Sequence, residues 1–184
     1  MKSIKRYETI INEALRSVLE YDTPEGQINE FISFFGKHIG ADRIYIFEDD
    51  VESHVTNNPY EWCAEGIQPQ IDDLQGVNME VIDWWYDSFN EGKSVTISDV
   101  EELKGVHQVS YNMLCYQKVH NVVVSPLRHK GQIRGFFGVD NPPEGDYTAL
   151  TLFLDMIGTM LIYFLKIRNT FQKEQYNASM SSYS

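Results

Sequence analysis

The stretch Asn121 to Pro142, NVVVSPLRHKGQIRGFFGVDNP, constrains this chain more than any other. Two runs rich in β-branched and aromatic residues flank the polar turn His129-Lys130-Gly131, which is the pattern of a β-hairpin. Alternation inside the runs is poor, because Val122, Val123 and Val124 are all apolar, as are Phe136, Phe137 and Val139. A strand that is apolar on both sides belongs inside a sheet covered on both faces. The hairpin is therefore expected at the sheet's centre, with the rest of the chain supplying two covers.

The flanking segments supply them. Residues 4–20 carry Ile4, Tyr7, Ile11, Ala14 and Val18 at helical spacing, the seam of a two-helix contact. Thr23-Pro24 is a cap-and-start signal for a second helix over 24–39, which Gly40 ends. Strands follow at 41–48 and 58–67, with a polar turn over 49–57 between them. A helix over 78–90 turns Val81, Trp84, Trp85 and Phe89 inward. Next come a short strand over 94–97, an irregular acidic stretch over 98–105, a helix over 108–118, the hairpin, and a long helix over 147–172. This order predicts an α+β fold, an α/β/α sandwich with a mostly antiparallel sheet of about five to six strands. Helices from the two chain ends share one face, and the two short middle helices close the other over a cavity. Residues 1–23 form a terminal helix, 24–172 the domain and 173–184 a flexible tail.

Composition limits what such a fold can do. With 15 basic and 27 acidic residues, the formal charge of -12 repels phosphate and disfavours nucleic acid or an anionic membrane. Cys63 and Cys115 stand far apart in no paired motif, which fits a reducing, cytoplasmic setting. The N-terminal stretch has no apolar core or cleavage site of a secretory signal. The segment 148–165 approaches the length of a membrane span, but Asp155 lies in its middle and its apolar positions continue at helical spacing into charged residues. A packed helix is the reading, with no span.

The segments ADRIYIFEDD, YEWCAEGI and GKSVTISDVEEL, followed by the hairpin and the closing helix, together resemble the GAF domain, the small-molecule sensor module of signalling proteins. The resemblance covers about 24–172. YEWCAEGI with GFFGVDNP is similar to GAF domains that precede bacterial GGDEF diguanylate cyclase or histidine-kinase domains, and no output motif of either kind occurs in this chain. The resemblance implies a non-catalytic sensor, the input part of a longer bacterial signalling protein, with cyclic-di-GMP as the downstream signal. It also implies a homodimer formed through the terminal helices and a ligand held between the sheet and the two short helices. Carried across position by position, the implied pocket is Tyr45, Phe47, Ala64, Glu65, Trp84, Trp85, Asn112, Cys115, Val119 and Gly138, with Phe136 and Asp140 on the same strand face.

Departures from the family pattern matter. The cyclic-nucleotide signature after the last strand survives only as Asn141, and Trp84 and Trp85 would crowd a purine. Cys115 lies nearer the hairpin than a bilin-attaching cysteine and is followed by Tyr116, so no bilin is expected, and no haem. Cys63 and Cys115 do not reproduce the cysteine cluster of free methionine sulfoxide reductases. His38, His54, His107, His120 and His129 show no metal-ligand spacing. Alternatives stand beside the pocket reading. Trp62, Trp84, Trp85, Tyr45, Tyr111 and Tyr116 form either an aromatic box for a flat ligand or plain core filling. Glu65 and Asp140 either hold a cationic or hydroxyl-bearing ligand or merely end strands. Cys115 is a buried structural thiol or, with Lys118 one turn away, a redox sensor. The whole domain is a sensor, a ligand-free dimerisation scaffold or, least favoured on cysteine geometry, a small reductase using Cys115 and Cys63.

Overall fold

A computed structural model describes residues 2–143 and 147–181. Helix α1 spans Lys2–Val18 and α2 Pro24–Ile39. Strands β1 (Arg43–Asp50), β2 (Val55–Cys63) and β3 (Val77–Asn78) precede α3 (Asp83–Asn90). Then come β4 (Val95–Ile97), α4 (Gln108–Tyr116), β5 (Val122–His129), β6 (Gln132–Asp140) and α5 (Tyr147–Ser181). All pairings are antiparallel, in one six-stranded sheet of order β3-β2-β1-β6-β5-β4. This is the expected α+β architecture.

The hairpin forms as β5 and β6, but its turn is the two-residue Lys130-Gly131. Both residues have positive φ, 51° and 75°, as a twist-compatible hairpin turn requires. His129 belongs to the strand, paired with Gln132. Of the two strands only β6 is central, beside β1, while β5 lies one strand in from the edge.

Two-sided burial follows the strand period. Ile44, Ile46, Val123, Phe137 and Val139 enter a core with α1, α2 and α5. Tyr45, Phe47, Val122, Val124 and Phe136 enter a second core with α3 and α4. Helices from both chain ends thus share one face, as the element order predicts.

Capping signals act as expected. Thr23 Oγ1 accepts from the Gly26 amide at 3.2 Å, Pro24 opens α2, and Gly40 closes it in the left-handed conformation at φ 80°. Other boundaries differ. The polar turn shrinks to residues 51–54 because Val55, Thr56 and Asn57 already pair with β1. β2 stops at Cys63 rather than Ile67, and β3 was not foreseen. The 78–90 helix opens as a 3-10 turn, Met79–Ile82, capped by Asn78 Oδ1, before α3 begins.

Helix α5 runs through Ser181, past the expected end at 172, so most of the anticipated tail is helical; residues 182–184 lie outside the described residues. It is long and apolar enough by composition to cross a membrane. Here Leu150, Leu154, Ile157, Leu161 and Leu165 are buried in the core on the terminal-helix face. Asp155 is satisfied by the Ser94 and Ser125 hydroxyls, which donate at 2.9 and 3.3 Å. Helix α1 brings a correction as well. Ile11, Ala14 and Val18, read as a two-helix seam, are buried in their own domain's core with residues of α2 and α5. That seam is intramolecular, and only Ile4 of the stripe is largely exposed.

Candidate functional site

The cleft between the sheet and α3/α4 is where the pocket is expected. It is lined by Tyr45, Phe47, Trp85, Phe136, Met113 and Leu114, among others, and the space left is about 30 Å³. That admits about two water molecules, whereas small-molecule sites run to roughly 300 Å³ or more. The reason is aromatic packing. Phe47 and Phe136 stack at 4.6 Å between centroids, and the Trp85 ring meets Phe136 edge-on at 5.6 Å. Phe89 packs on Phe136 at 6.2 Å between centroids.

Gly138 explains part of this closure. A side chain there would collide with the Tyr45 ring, so the room that glycine leaves on β6 is taken by a residue of the neighbouring strand. The Trp85 indole N–H, buried in the cleft, has no hydrogen-bond partner.

A second, polar chamber of about 330 Å³ opens beside the cleft at the end of the sheet. Asp42, Arg43 and Asp140 line it from the strand ends, Gly66, Ile67, Gln68 and Gln70 from the loop after β2, and Tyr116, Gln117 and Lys118 from the end of α4. Behind it lies a buried ionic network. Arg43 Nη1 donates to Asp140 Oδ2 at 2.7 Å, Nη2 donates to the Gln68 carbonyl at 2.8 Å, and Nε lies 3.3 Å from Glu61. All three charged side chains are at most 3% exposed. Glu61 also accepts from the Gln70 and Ile71 amides. Burial pushes the Asp140 carboxyl up to about 6, and Arg43 offsets this only in part. Burial and the Asp140 charge likewise push the Tyr45 phenol well above its usual value.

Asn141 clamps the chamber wall. Its backbone is left-handed at φ 49°, its Oδ1 accepts from the His120 amide at 2.7 Å, and its Nδ2 donates to Asp42 and to the Lys118 carbonyl. Asp140-Asn141-Pro142 thus ends a strand and fixes a turn, as Asn-Pro chemistry suggests. Asp140 reaches the chamber all the same.

The structure sorts the remaining predicted residues. Tyr45, Phe47, Trp85 and Phe136 line the cleft, and Asp140 lines the chamber. Val119 is buried core. Trp84 stacks on His107 at 4.2 Å and donates to Ser110 Oγ, which turns it away from the cleft lining. Asn112 and Cys115 are exposed on the outer side of α4, where Asn112 Oδ1 accepts from Gln108. The inward side of that helix carries Ser110, Met113 and Leu114, so the transferred positions were out of phase with the helix. Cys115 is therefore not a buried thiol. Ala64 only continues the strand end, its amide donating to the Asp42 carbonyl, and Glu65 is exposed beyond it.

Trp62 belongs to the opposite face, packed over Gly36 of α2. Tyr116 is 79% exposed. Neither fits an aromatic box. Arg43, Met113 and Gln117 were missed; the one signal for Arg43 was a cation opening an otherwise apolar strand. Burial pushes the Cys63 thiol up, away from the thiolate a nucleophile needs.

No family model matches the chain, and no curated protein matches it. Solved structures do. The GAF domain of an Acinetobacter phosphoenolpyruvate-protein phosphotransferase is similar at 10% identity over 91% of this chain and 97% of that one, with a TM-score of 0.66. The blue-light-absorbing form of the Thermosynechococcus elongatus PixJ GAF domain is similar at 20% identity over 93% of this chain and 96% of that one, TM-score 0.58. Free methionine-R-sulfoxide reductase from Neisseria meningitidis, solved with its substrate, is similar at 12% identity over 91% and 93%, TM-score 0.67. At these identities the likeness is one of fold. The chain has the GAF fold.

Proposed function

We propose that this chain is a non-catalytic sensory or regulatory GAF module of a bacterial signalling protein, acting in the cytoplasm, which passes the state of its ligand-binding face to α5. The carrying observation is on β1. Phe47 lies in the cleft, and its neighbour Glu48 forms a bidentate pair with Arg168 of α5 at 2.7 and 2.8 Å. A shift of β1 at the cleft thus has a direct mechanical route to the helix. Such relay requires two states that a ligand distinguishes. In this reading α5 leads to an output module, a GGDEF diguanylate cyclase or a histidine kinase, and through the former to cyclic-di-GMP.

The module acts as a homodimer through its terminal helices. With the α1 stripe buried, the surface that fits this role is the outer side of α5, where Leu152, Met156, Tyr163 and Ile167 are exposed at spacings of a helical seam.

The closed cleft favours a second reading, a ligand-free GAF scaffold whose aromatics fill the site. Amide hydrogen exchange separates the two. Trp85→Ala, studied well below its unfolding midpoint, is expected to speed exchange in α5 around Arg168 if the relay exists. Changes confined to 79–90 and 108–119 would contradict it and leave the scaffold.

A further inference from the structure

We propose that the polar chamber at the end of the sheet binds a small molecule bearing a primary ammonium group, which pairs with the Asp140 carboxylate as that side chain turns into the chamber. This site is distinct from the aromatic cleft, and the inference stands whether or not α5 relays anything.

Charge is the first reason. One buried guanidinium, Arg43, serves two buried carboxylates, Asp140 and Glu61. With all three ionised, one negative charge is left over in a site nearly closed to solvent, and an uncompensated buried charge is costly. Arg43 cannot lean further toward Asp140, because its other nitrogens face Gln68 and Glu61. Lys118 lines the same chamber but is exposed, where water and salt screen it. The excess is relieved by a proton on Asp140 or by a cation in the chamber.

Geometry is the second. Asp140 is 1% exposed, and its Oδ1 has no hydrogen-bond partner although Oδ2 holds Arg43. Tyr45 approaches from the cleft side closely enough to influence the carboxyl's ionisation, yet leaves Oδ1 without a well-formed bond. Asp42, on the same wall, commits Oδ2 to Asn141. The volume, about 330 Å³, suits a small metabolite. A metal is a poorer guest, because among the described residues no group of three or more His, Cys, Asp or Glu is placed to hold one. A neutral alcohol would satisfy Oδ1 but leave the charge unbalanced.

The groups facing Asp140 are Arg43 and Tyr45 from β1, Glu61 from β2, Asp42 before β1 and Lys118 after α4. Burial raises the Asp140 carboxyl to about 6, so binding competes with its protonation. The test is titration of the isotopically labelled full chain with methylammonium chloride, followed by amide NMR, against potassium chloride at equal ionic strength and tetramethylammonium chloride, which has no N–H. The expected result is saturable shifts at Gln70, Lys118 and Asn141, seen with methylammonium only. Affinity should be about tenfold weaker at pH 5 than at pH 7.5, since about a tenth of a carboxyl titrating near 6 is ionised there. Asp140→Asn should abolish the shifts. Equal shifts with either control salt, binding unchanged in Asp140→Asn, or absence of saturable binding overturns the proposal. If Asp140→Asn does not fold, the pH series on the unaltered chain decides, and pH-independent binding overturns it.

Discussion

Two buried arginines hold the two faces of this sheet, and they differ in charge balance. On the terminal-helix side Arg168 meets one carboxylate, Glu48, through two bonds, and adds Tyr60, whose hydroxyl accepts at 3.3 Å. One positive charge faces one negative charge, and the arrangement is closed. At the opposite corner Arg43 is divided between Asp140 and Glu61. The first is a tie between helix and sheet. The second is incomplete by one cation, beside a polar chamber. A buried ion pair is weak evidence for function in itself; an unbalanced one next to open volume points to a ligand.

The largest difference is expected on removing the cations. Arg43→Leu strands two buried carboxylates and should cost about 3–5 kcal/mol of stability at pH 7.5 by denaturant unfolding. Part of that loss should return at pH 5, as the Asp140 carboxyl protonates. Arg168→Leu should cost less, about 2 kcal/mol, because the Glu48 side chain is 30% exposed and water compensates it. Equal losses in the two variants would remove the distinction between the sites.

Smaller effects test how the cleft is closed. Gly138→Ala drives a methyl into the Tyr45 ring and should cost about 1–3 kcal/mol, with partial recovery when Tyr45→Leu is added. An additive pair would show that Tyr45 does not fill the glycine's space. Cys115→Ser, on the outer side of α4, should change stability by no more than about 0.5 kcal/mol and leave methylammonium binding untouched.

The sequence made one half of this picture legible. Two-sided apolarity in the hairpin announced a doubly covered sheet, and Thr23, Pro24 and Gly40 marked α2 from local chemistry alone. What stayed hidden depends on distance along the chain. Arg43 meets Asp140 across 97 positions and Arg168 meets Glu48 across 120, and no local pattern announces such pairs. The filling of Gly138 by Tyr45 needs the register of β1 against β6. On α4, placing Asn112 and Cys115 inward missed the helix phase, although Met113 and Leu114 were its apolar residues. β3, two residues long, carries too little pattern to be read.

The charge imbalance has a stability signature. Because the folded Asp140 carboxyl is raised above its unfolded value, its contribution is fully present below about pH 4 and is lost as pH rises through about 6. The most direct measurement is the titration of the Asp140 carboxyl carbon by NMR in the ligand-free chain. The charge-deficient network predicts a midpoint of about 6, falling when methylammonium is added. A midpoint at or below the ordinary aspartate range, about 4, would mean that Arg43 balances the site by itself, and the chamber would lose its claim to a cationic guest.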